Sequence, residues 1–590
     1  MKQFFKTMFA SIFGVLIAMG VLLMGGIAFV AGIVASNSSS STYKPAKNTV
    51  FKLSLKGTLT EHSSDNPFAG LWSSSDEQVV LPDLIHAIQK AKQNPDIQGI
   101  YLEGSELSGG FASFAALRRA LEDFKSEGKF IVSYADAYSQ GGYYLASVAD
   151  SLFVNPQGMV GLVGLASQGI FFKNAMAKLG VEYYIFKVGT YKSAVEPYMN
   201  EKFSEANREQ TASFLNSIWK NMTDAICTSR SIDAAEMERF LNTGVALGAP
   251  EELLTYKLVD KLAYRPEAEA CVKRMAGQKV ADKMVSADYS QLLSIPETKR
   301  EAADKIAILY AEGTIVPEDD SPMSTGTALI TEETARELYK LAQDEAVKAV
   351  VFRVNSGGGS AYISEQIWKA VMEVKAQKPV VVSMGDYAAS GGYYIACAAN
   401  KIVAEPTTLT GSIGVFGIVR NFAGTAKLLD ITTDIVKTNT YADLGDISRP
   451  MRADEQALIQ QSVERTYDLF LTRCADGRGM AKDSIDHIGQ GRVWTGEQAL
   501  ERGLVDRLGG LEVAIAEAAS LAGITDYTTY KANEDKDFFT KYMEKAWGEA
   551  KISLLQSLLG KDEFALYATW QEMKQTTGIQ ARMPYTVQGL

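Results

Sequence analysis

Two serines and one lysine carry the chemistry this chain can do. Ser390 sits in DYAASGGYY (386–394), among small residues that let a side chain protrude and another backbone come close. Ser412 follows in TGSIGVFG (410–417), and Lys192 lies far upstream in VGTYKSAVEP (188–197). A serine nucleophile needs a base. The chain has three histidines, His62, His86 and His487, all remote in sequence from Ser390, which disfavours a Ser-His-Asp arrangement. A lysine can serve if it is neutral, and burial lowers its pKa from an ordinary value of about 10.4. A third feature, NSGGGS (355–360), follows a predicted strand and opens a predicted helix. Its glycines expose backbone N–H groups where an anion or a developing oxyanion is stabilised.

Each feature alone also has a plainer reading. A serine among glycines is commonly a turn residue, and the Ser412 hydroxyl can bond nearby backbone. The glycine run can be a tight turn, or a phosphate loop that lacks the GxxxxGK[ST] frame. Lys192 can be a solvated surface lysine.

An internal repeat changes these weights. Val132, Ser133, Asp136, Gly141, Gly142, Tyr143 and Tyr144 are each matched by the same residue type 250 positions later. The offset holds without a gap through Pro156/Pro406, Gly161/Gly411, Gly164/Gly414, Thr190/Thr440 and Tyr191/Tyr441. KLVDKL (257–262) echoes GLVDRL (503–508), and LSLKGTL (53–59) echoes LYAEGTI (309–315). The two copies differ in complementary ways. The first has Gln140 where the second has Ser390, and the second has Ala442 where the first has Lys192. If the copies meet so that Lys192 reaches Ser390, one complete site is built from two half-sites.

The elements that must position these residues read as α/β. KAVVFRVNS (348–356) and KPVVVSMGD (378–386) are short, β-branched runs typical of buried strands. Between them, Ile363, Ile367, Ala370, Val371 and Val374 recur at helical spacing. Alternation of this kind predicts parallel sheets with crossover helices. Residues 204–230 and 453–474 read as partner amphipathic helices in the two copies. The boundaries expected are an anchor and tether over 1–42, a first repeat over 43–284, a linker over 285–302, a second repeat over 303–525 and a helical tail over 526–590. Within that tail, 538–560 reads as an amphipathic helix for packing or subunit contact.

A chain of 590 residues is too long for one core. Apolar residues at 46% and charged residues at 22% suit a folded protein, and a net charge of -11 argues against a nucleic-acid partner. Cys227, Cys271, Cys397 and Cys474 are scattered without a CxxC pair and read as free thiols. Residues 8–34 form an uncharged apolar run after Lys2 and Lys6. That exceeds the roughly 20 residues a bilayer needs, so a single membrane anchor is the reading, with a cleaved signal peptide as the alternative. The leading lysines place the N-terminus in the cytoplasm and the rest across the membrane.

At GTYKSAVEP, NSGGGSA, DYAASGGYYIA, LTGSIGVFG and VWTGEQALERGLVD (493–506), the chain resembles the long, duplicated form of bacterial signal peptide peptidase A (protease IV). The resemblance covers the chain to about residue 525. It implies tandem Clp protease/crotonase-like domains behind one N-terminal transmembrane helix. It also implies a serine protease with Ser390 as nucleophile, Lys192 as general base and Ser412 orienting the lysine. Backbone N–H groups of Gly358, Gly359 and Gly391 would form the oxyanion hole, with no metal or cofactor. Gly357 stands where that family usually has proline, a difference in loop rigidity. The implied partners are signal-peptide remnants and other hydrophobic peptides. The implied setting is a homotetramer on the outer face of the bacterial cytoplasmic membrane. The rival classes are a crotonase-type acyl-CoA enzyme and a catalytically dead membrane scaffold.

Overall fold

The computed structural model describes residues 42–61, 78–242, 248–296, 302–317, 329–532 and 578–582. The apolar run at 8–34 and the helix expected at 538–560 lie outside them. Among the described residues no helix is long and apolar enough to cross a membrane.

The first repeat is built on β1 (Thr49–Thr60), β2 (Gln78–Val80), β3 (Ile97–Ser108), β4 (Phe130–Ala135) and β5 (Ser151–Val154). It adds β6 (Glu182–Val188), β7 (Lys261–Leu262) and β8 (Ser286–Ala287). Its sheet runs β2-β1-β3-β4-β5-β7 with β8 beside β1, and every pairing in it is parallel. The second repeat opens with β9 (Asp304–Glu312), β10 (Thr314–Ile315), β11 (Leu329–Ile330), β12 (Val347–Ser356) and β13 (Gly358–Ser360). There follow β14 (Val380–Ala389), β15 (Lys401–Ala404), β16 (Leu409–Gly411), β17 (Val415–Asn421), β18 (Val493–Thr495) and β19 (Arg507–Leu508). The strands β20 (Tyr527–Lys531) and β21 (Gly578–Arg582) complete the set. The second main sheet runs β18-β16-β14-β12-β9-β20, with β15 beside β14 and β19 beside β15.

The duplication is visible element by element. Strands β3, β4 and β5 start 250 residues before β12, β14 and β15, as the helix Phe111–Lys125 does before Ala361–Lys375. The central strands are apolar on both faces because helices cover both. Val350, Val351, Phe352, Val380, Val381 and Val382 are all fully buried. Each such side chain stabilises the fold by about 1.5–3 kcal/mol relative to exposure.

A third sheet joins the repeats. Its order is β11-β10-β13-β21-β17-β6, and β6 of the first repeat pairs antiparallel with β17 of the second from Val188/Val415 to Glu182/Asn421. Buried polar contacts hold the same junction. Asp386 accepts from Ser113 N at 2.9 Å and from Ser113 Oγ at 2.6 Å, and the Arg353 guanidinium pairs with Glu61. Arg119 forks onto Glu405 at 2.7 and 2.6 Å.

Two boundaries differ from the sequence reading. The stretch expected as linker contributes β8 and the capped helix Tyr289–Leu293 to the first repeat, because Ala287 and Leu292 bury into its core. The C-terminal stretch expected as helical contributes two strands. Strand β20 extends the second sheet beside β9, so that sheet continues past residue 525, and β21 enters the junction sheet. All four cysteines are free, with Cys397 and Cys474 buried.

Candidate active site

Ser390 stands where β14 ends and the short helix Gly391–Ala396 begins, at φ 55° and ψ -115°. A serine pays strain in that region, and the conformation persists only where its surroundings impose it. Here Ser390 N donates to Gly411 O at 2.8 Å, and Tyr394 N donates to Ser390 O at 2.8 Å. Ser390 occupies the N-cap position but makes no side-chain cap bond, so its hydroxyl is left to other partners. In the first repeat the equivalent turn is ordinary. Ser139 caps the helix Gln140–Ala146 through Gly142 N, and Gln140 Oε1 accepts from Val163 N at 3.2 Å and Gly164 N at 3.0 Å.

Lys192 arrives from the first repeat, in the loop after β6. Its side chain is fully buried. Lys192 Nζ lies 2.8 Å from Ser390 Oγ, 3.0 Å from Ser412 Oγ and 3.1 Å from Ser412 O. Burial holds its pKa well below the usual lysine range, with no carboxylate opposing the shift. A neutral amine has two N–H groups and one lone pair. Ser412 offers two acceptors for the N–H groups, which aims the lone pair at the Ser390 hydroxyl.

Three residues the sequence reading did not single out hold that lysine. Tyr191 N donates to Gln490 O at 2.8 Å, Gly491 N to Ile413 O at 2.7 Å, and Ser412 N to Arg492 O at 2.7 Å. The Gln490–Arg492 loop thus bridges the lysine segment and the Ser412 segment. Gly491 has φ +79°, and a Cβ there would stand 2.6 Å from Lys192 N. From the other side, Gln210 Nε2 donates to Tyr191 O at 2.9 Å and to Ser193 Oγ at 3.0 Å. Buried Glu196 accepts from Ser204 N, Ser204 Oγ and Asn207 Nδ2 and closes the loop behind the lysine.

The glycine strand β13 lies beside Ser390. Gly358 (φ +99°) must lack a side chain, because its Cβ would fall 2.6 Å from Gly391 N and 3.0 Å from Ala389 O. Its own N–H is already taken by Ser356 Oγ at 3.1 Å, and Ser356 Oγ donates to Gly313 O at 2.6 Å. Gly358 therefore differs from the sequence expectation: it supplies room rather than a free donor. Ser356 fastens this turn from one side, where Gly357 provides no ring. The six candidate residues Lys192, Gly358, Gly359, Ser390, Gly391 and Ser412 converge on one place. The reciprocal position, Ala442, is exposed on a loop.

The family profile described as peptidase family S49 matches residues 123–279 and 372–525, one segment in each repeat. The chain belongs to this family. It is 34% identical to Protease 4 of Salmonella typhi over 526 residues, 86% of this chain and 84% of that one. It is 32% identical to the chloroplastic serine protease SPPA of Arabidopsis thaliana, over 91% of this chain and 78% of that one. A putative signal peptide peptidase SppA of Enterococcus faecium is 32% identical over 48% of this chain and 77% of its own. The chain is thus a serine protease of the long, duplicated kind.

Proposed function

We propose that the chain is a membrane-anchored endopeptidase that cuts hydrophobic peptides, cleaved signal peptides above all, with a Ser390–Lys192 dyad. The observation that carries the dyad is the fully buried Lys192 Nζ, 2.8 Å from Ser390 Oγ across the repeat junction. Neutral Lys192 takes the Ser390 proton as Oγ attacks the peptide carbonyl. Backbone N–H groups of Gly391 and Gly359 hold the oxyanion, a contribution of about 3–4 kcal/mol per donor in comparable sites. Lys192 then gives its proton to the leaving amine. An ester remains at Ser390, and the lysine, neutral again, activates the water that hydrolyses it.

The apolar run at 8–34 supports a single anchor, and Lys2 and Lys6 before it support catalytic repeats on the extracytoplasmic side of a bacterial cytoplasmic membrane. Exposed Leu428, Leu429, Ile431 and Val436 support an interface between copies, and we assign a homotetramer to it. Cleavage of a synthetic signal peptide in detergent tests the dyad. Ser390→Ala and Lys192→Ala, each still folded, should both abolish it. Near-normal cleavage by Lys192→Ala would place the base elsewhere. Light scattering of the detergent complex tests the tetramer.

A further inference from the structure

The helix Phe111–Lys125 of the first repeat begins without a cap of its own. Its N-cap residue, Gly110, has no side chain to offer, whereas Ser360, 250 positions later, caps the helix Ala361–Lys375 by accepting from Ile363 N. The donor equivalent to Ile363 N is Ser113 N, and its acceptor comes from the other repeat. Asp386 Oδ1 accepts from Ser113 N at 2.9 Å, and Oδ2 accepts from Ser113 Oγ at 2.6 Å. A carboxylate at this end also meets the positive pole of the helix dipole. Gly110 makes room for it, because a Cβ there would collide with the Asp386 carboxylate. The matching aspartate of the first repeat, Asp136, is exposed and bonds within its own repeat, to Tyr134 OH at 2.6 Å and Asn155 Nδ2 at 3.0 Å.

Asp386 stands four residues before Ser390, at a bulge in β14. Val354 faces Met384 and Ser356 faces Ala388, so two steps along β12 span four along β14. A bulge re-aims the residues beside it. Each of its three residues has an anchor. Gly385 O accepts from Thr408 Oγ1 at 2.8 Å, Tyr387 N donates to Asn355 Oδ1 at 3.1 Å, and Asp386 takes Ser113. The first two anchors lie within the second repeat. Of the three, only Asp386 ties the bulge to the repeat that carries Lys192.

We infer that Asp386 is a positioning residue for the cleavage reaction: it caps a helix of the first repeat from the nucleophile strand and so holds Ser390 in register with Lys192. The inference rests on the dyad reading above. Loss of an ordinary helix cap weakens a fold and leaves the chemistry alone. Loss of this one also frees the strand that ends in Ser390, where a shift of about 1 Å costs roughly 100-fold in rate. Gly110 has φ -83° and ψ 164°, a conformation a serine adopts without strain, so the helix can be given a cap of its own in place of Asp386.

The test compares full-chain variants in detergent for stability in chemical denaturation and for kcat and KM on a synthetic signal peptide, beside wild type, Ser390→Ala and Lys192→Ala. Rates are taken where each variant is fully folded, so that lost stability does not count as lost rate. Asp386→Ala should lose stability and about 10- to 100-fold in kcat, with KM little changed. Asp386→Asn keeps an acceptor for Ser113 N and a donor for Ser113 Oγ, and should stay within about 3-fold of wild type. The double variant Gly110→Ser/Asp386→Ala gives the first helix the cap that Ser360 gives the second. It should regain stability while its kcat stays as low as in Asp386→Ala. A wild-type kcat in the double variant reduces Asp386 to a helix cap and overturns the inference. So does an unaltered kcat in Asp386→Ala, or a kcat in Asp386→Asn no higher than in Asp386→Ala. If Asp386→Ala does not fold, the double variant and Asp386→Asn carry the comparison with wild type. Cleavage that survives Ser390→Ala or Lys192→Ala refutes the dyad instead.

Discussion

The most demanding prediction concerns a residue that touches no substrate. In Gly491→Ala, the new Cβ would meet Lys192 N at 2.6 Å and Lys192 Cα and Cβ at 2.7 Å. Main-chain atoms cannot swing aside. One segment must move by about 0.8 Å to restore ordinary contact at 3.4 Å. Lys192 Nζ would move with its backbone, out of line with Ser390 Oγ. A misplacement of about 1 Å costs roughly 100-fold in rate, or about 2.7 kcal/mol of barrier. The positive φ of +79° adds about 1–3 kcal/mol of strain to the folded state. Gly128→Ala separates the two effects, because Gly128 has a similar φ of +76° with nothing within 4 Å. Both variants should lose stability in chemical denaturation. Gly491→Ala alone should lose about 100-fold in kcat on a signal peptide, with KM little changed. Activity in Gly491→Ala within about 3-fold of wild type would refute the claim that this loop sets the lysine.

Other perturbations follow from the same contacts. Ser412→Ala removes one of two acceptors that aim the Lys192 lone pair, and steady-state kinetics should show about a 10-fold loss in kcat, worth about 1.4 kcal/mol. Lys192→Met should stabilise the fold at neutral pH, because wild type must unfold to a charged lysine but folds around a neutral one. With the folded pKa depressed, that gain should shrink as pH rises toward 10.5, which denaturation at two pH values will reveal. Burial, then the charge of Glu61, raises the Glu312 carboxyl to about 7. Its folded form keeps a proton that the unfolded chain releases near 4.5. That stability is complete below the lower value and lost as pH rises through the upper. Glu312→Gln should therefore gain on wild type by up to about 3 kcal/mol between acid and mildly alkaline pH.

The sequence revealed most about what repeats. A fixed offset singled out Lys192 and Ser390 as positions where the two repeats differ in complementary ways, and β-branched runs located β12 and β14 to within a few residues. Nothing comparable marked Gly491. Its importance lies in an approach to Lys192 from 299 positions away, and a glycine in DHIGQGRVW reads locally as a turn. Gln210 likewise sits in a long helix whose apolar face explains its neighbours, while its own bonds to Tyr191 and Ser193 depend on the tertiary fold. Strand β21 carries no period a five-residue stretch can display. Its pairing is dictated by the two open edges of β13 and β17, not by its own composition.

The complementary losses have a physical logic. If Lys192 of one repeat serves Ser390 of the other, as proposed, the reciprocal site has no function to maintain. Its lysine position, Ala442, lies exposed on a loop, and its serine position is free to become a structural side chain. Gln140 takes that course: its carbonyl satisfies two backbone N–H groups, at Val163 and Gly164, the turn equivalent to the one that carries Ser412. A buried amide left without partners costs about 1–3 kcal/mol, so the glutamine turns a vacant cradle into a rigid support. The support matters because the first repeat must deliver Lys192 to within hydrogen-bonding distance of its partner. The β6–β17 ladder, Ser113 on Asp386 and Arg353 on Glu61 fix that delivery along three separate lines. In the proposed dyad, one repeat is the rigid carrier of Lys192, and the other holds Ser390 and the glycine strand beside it.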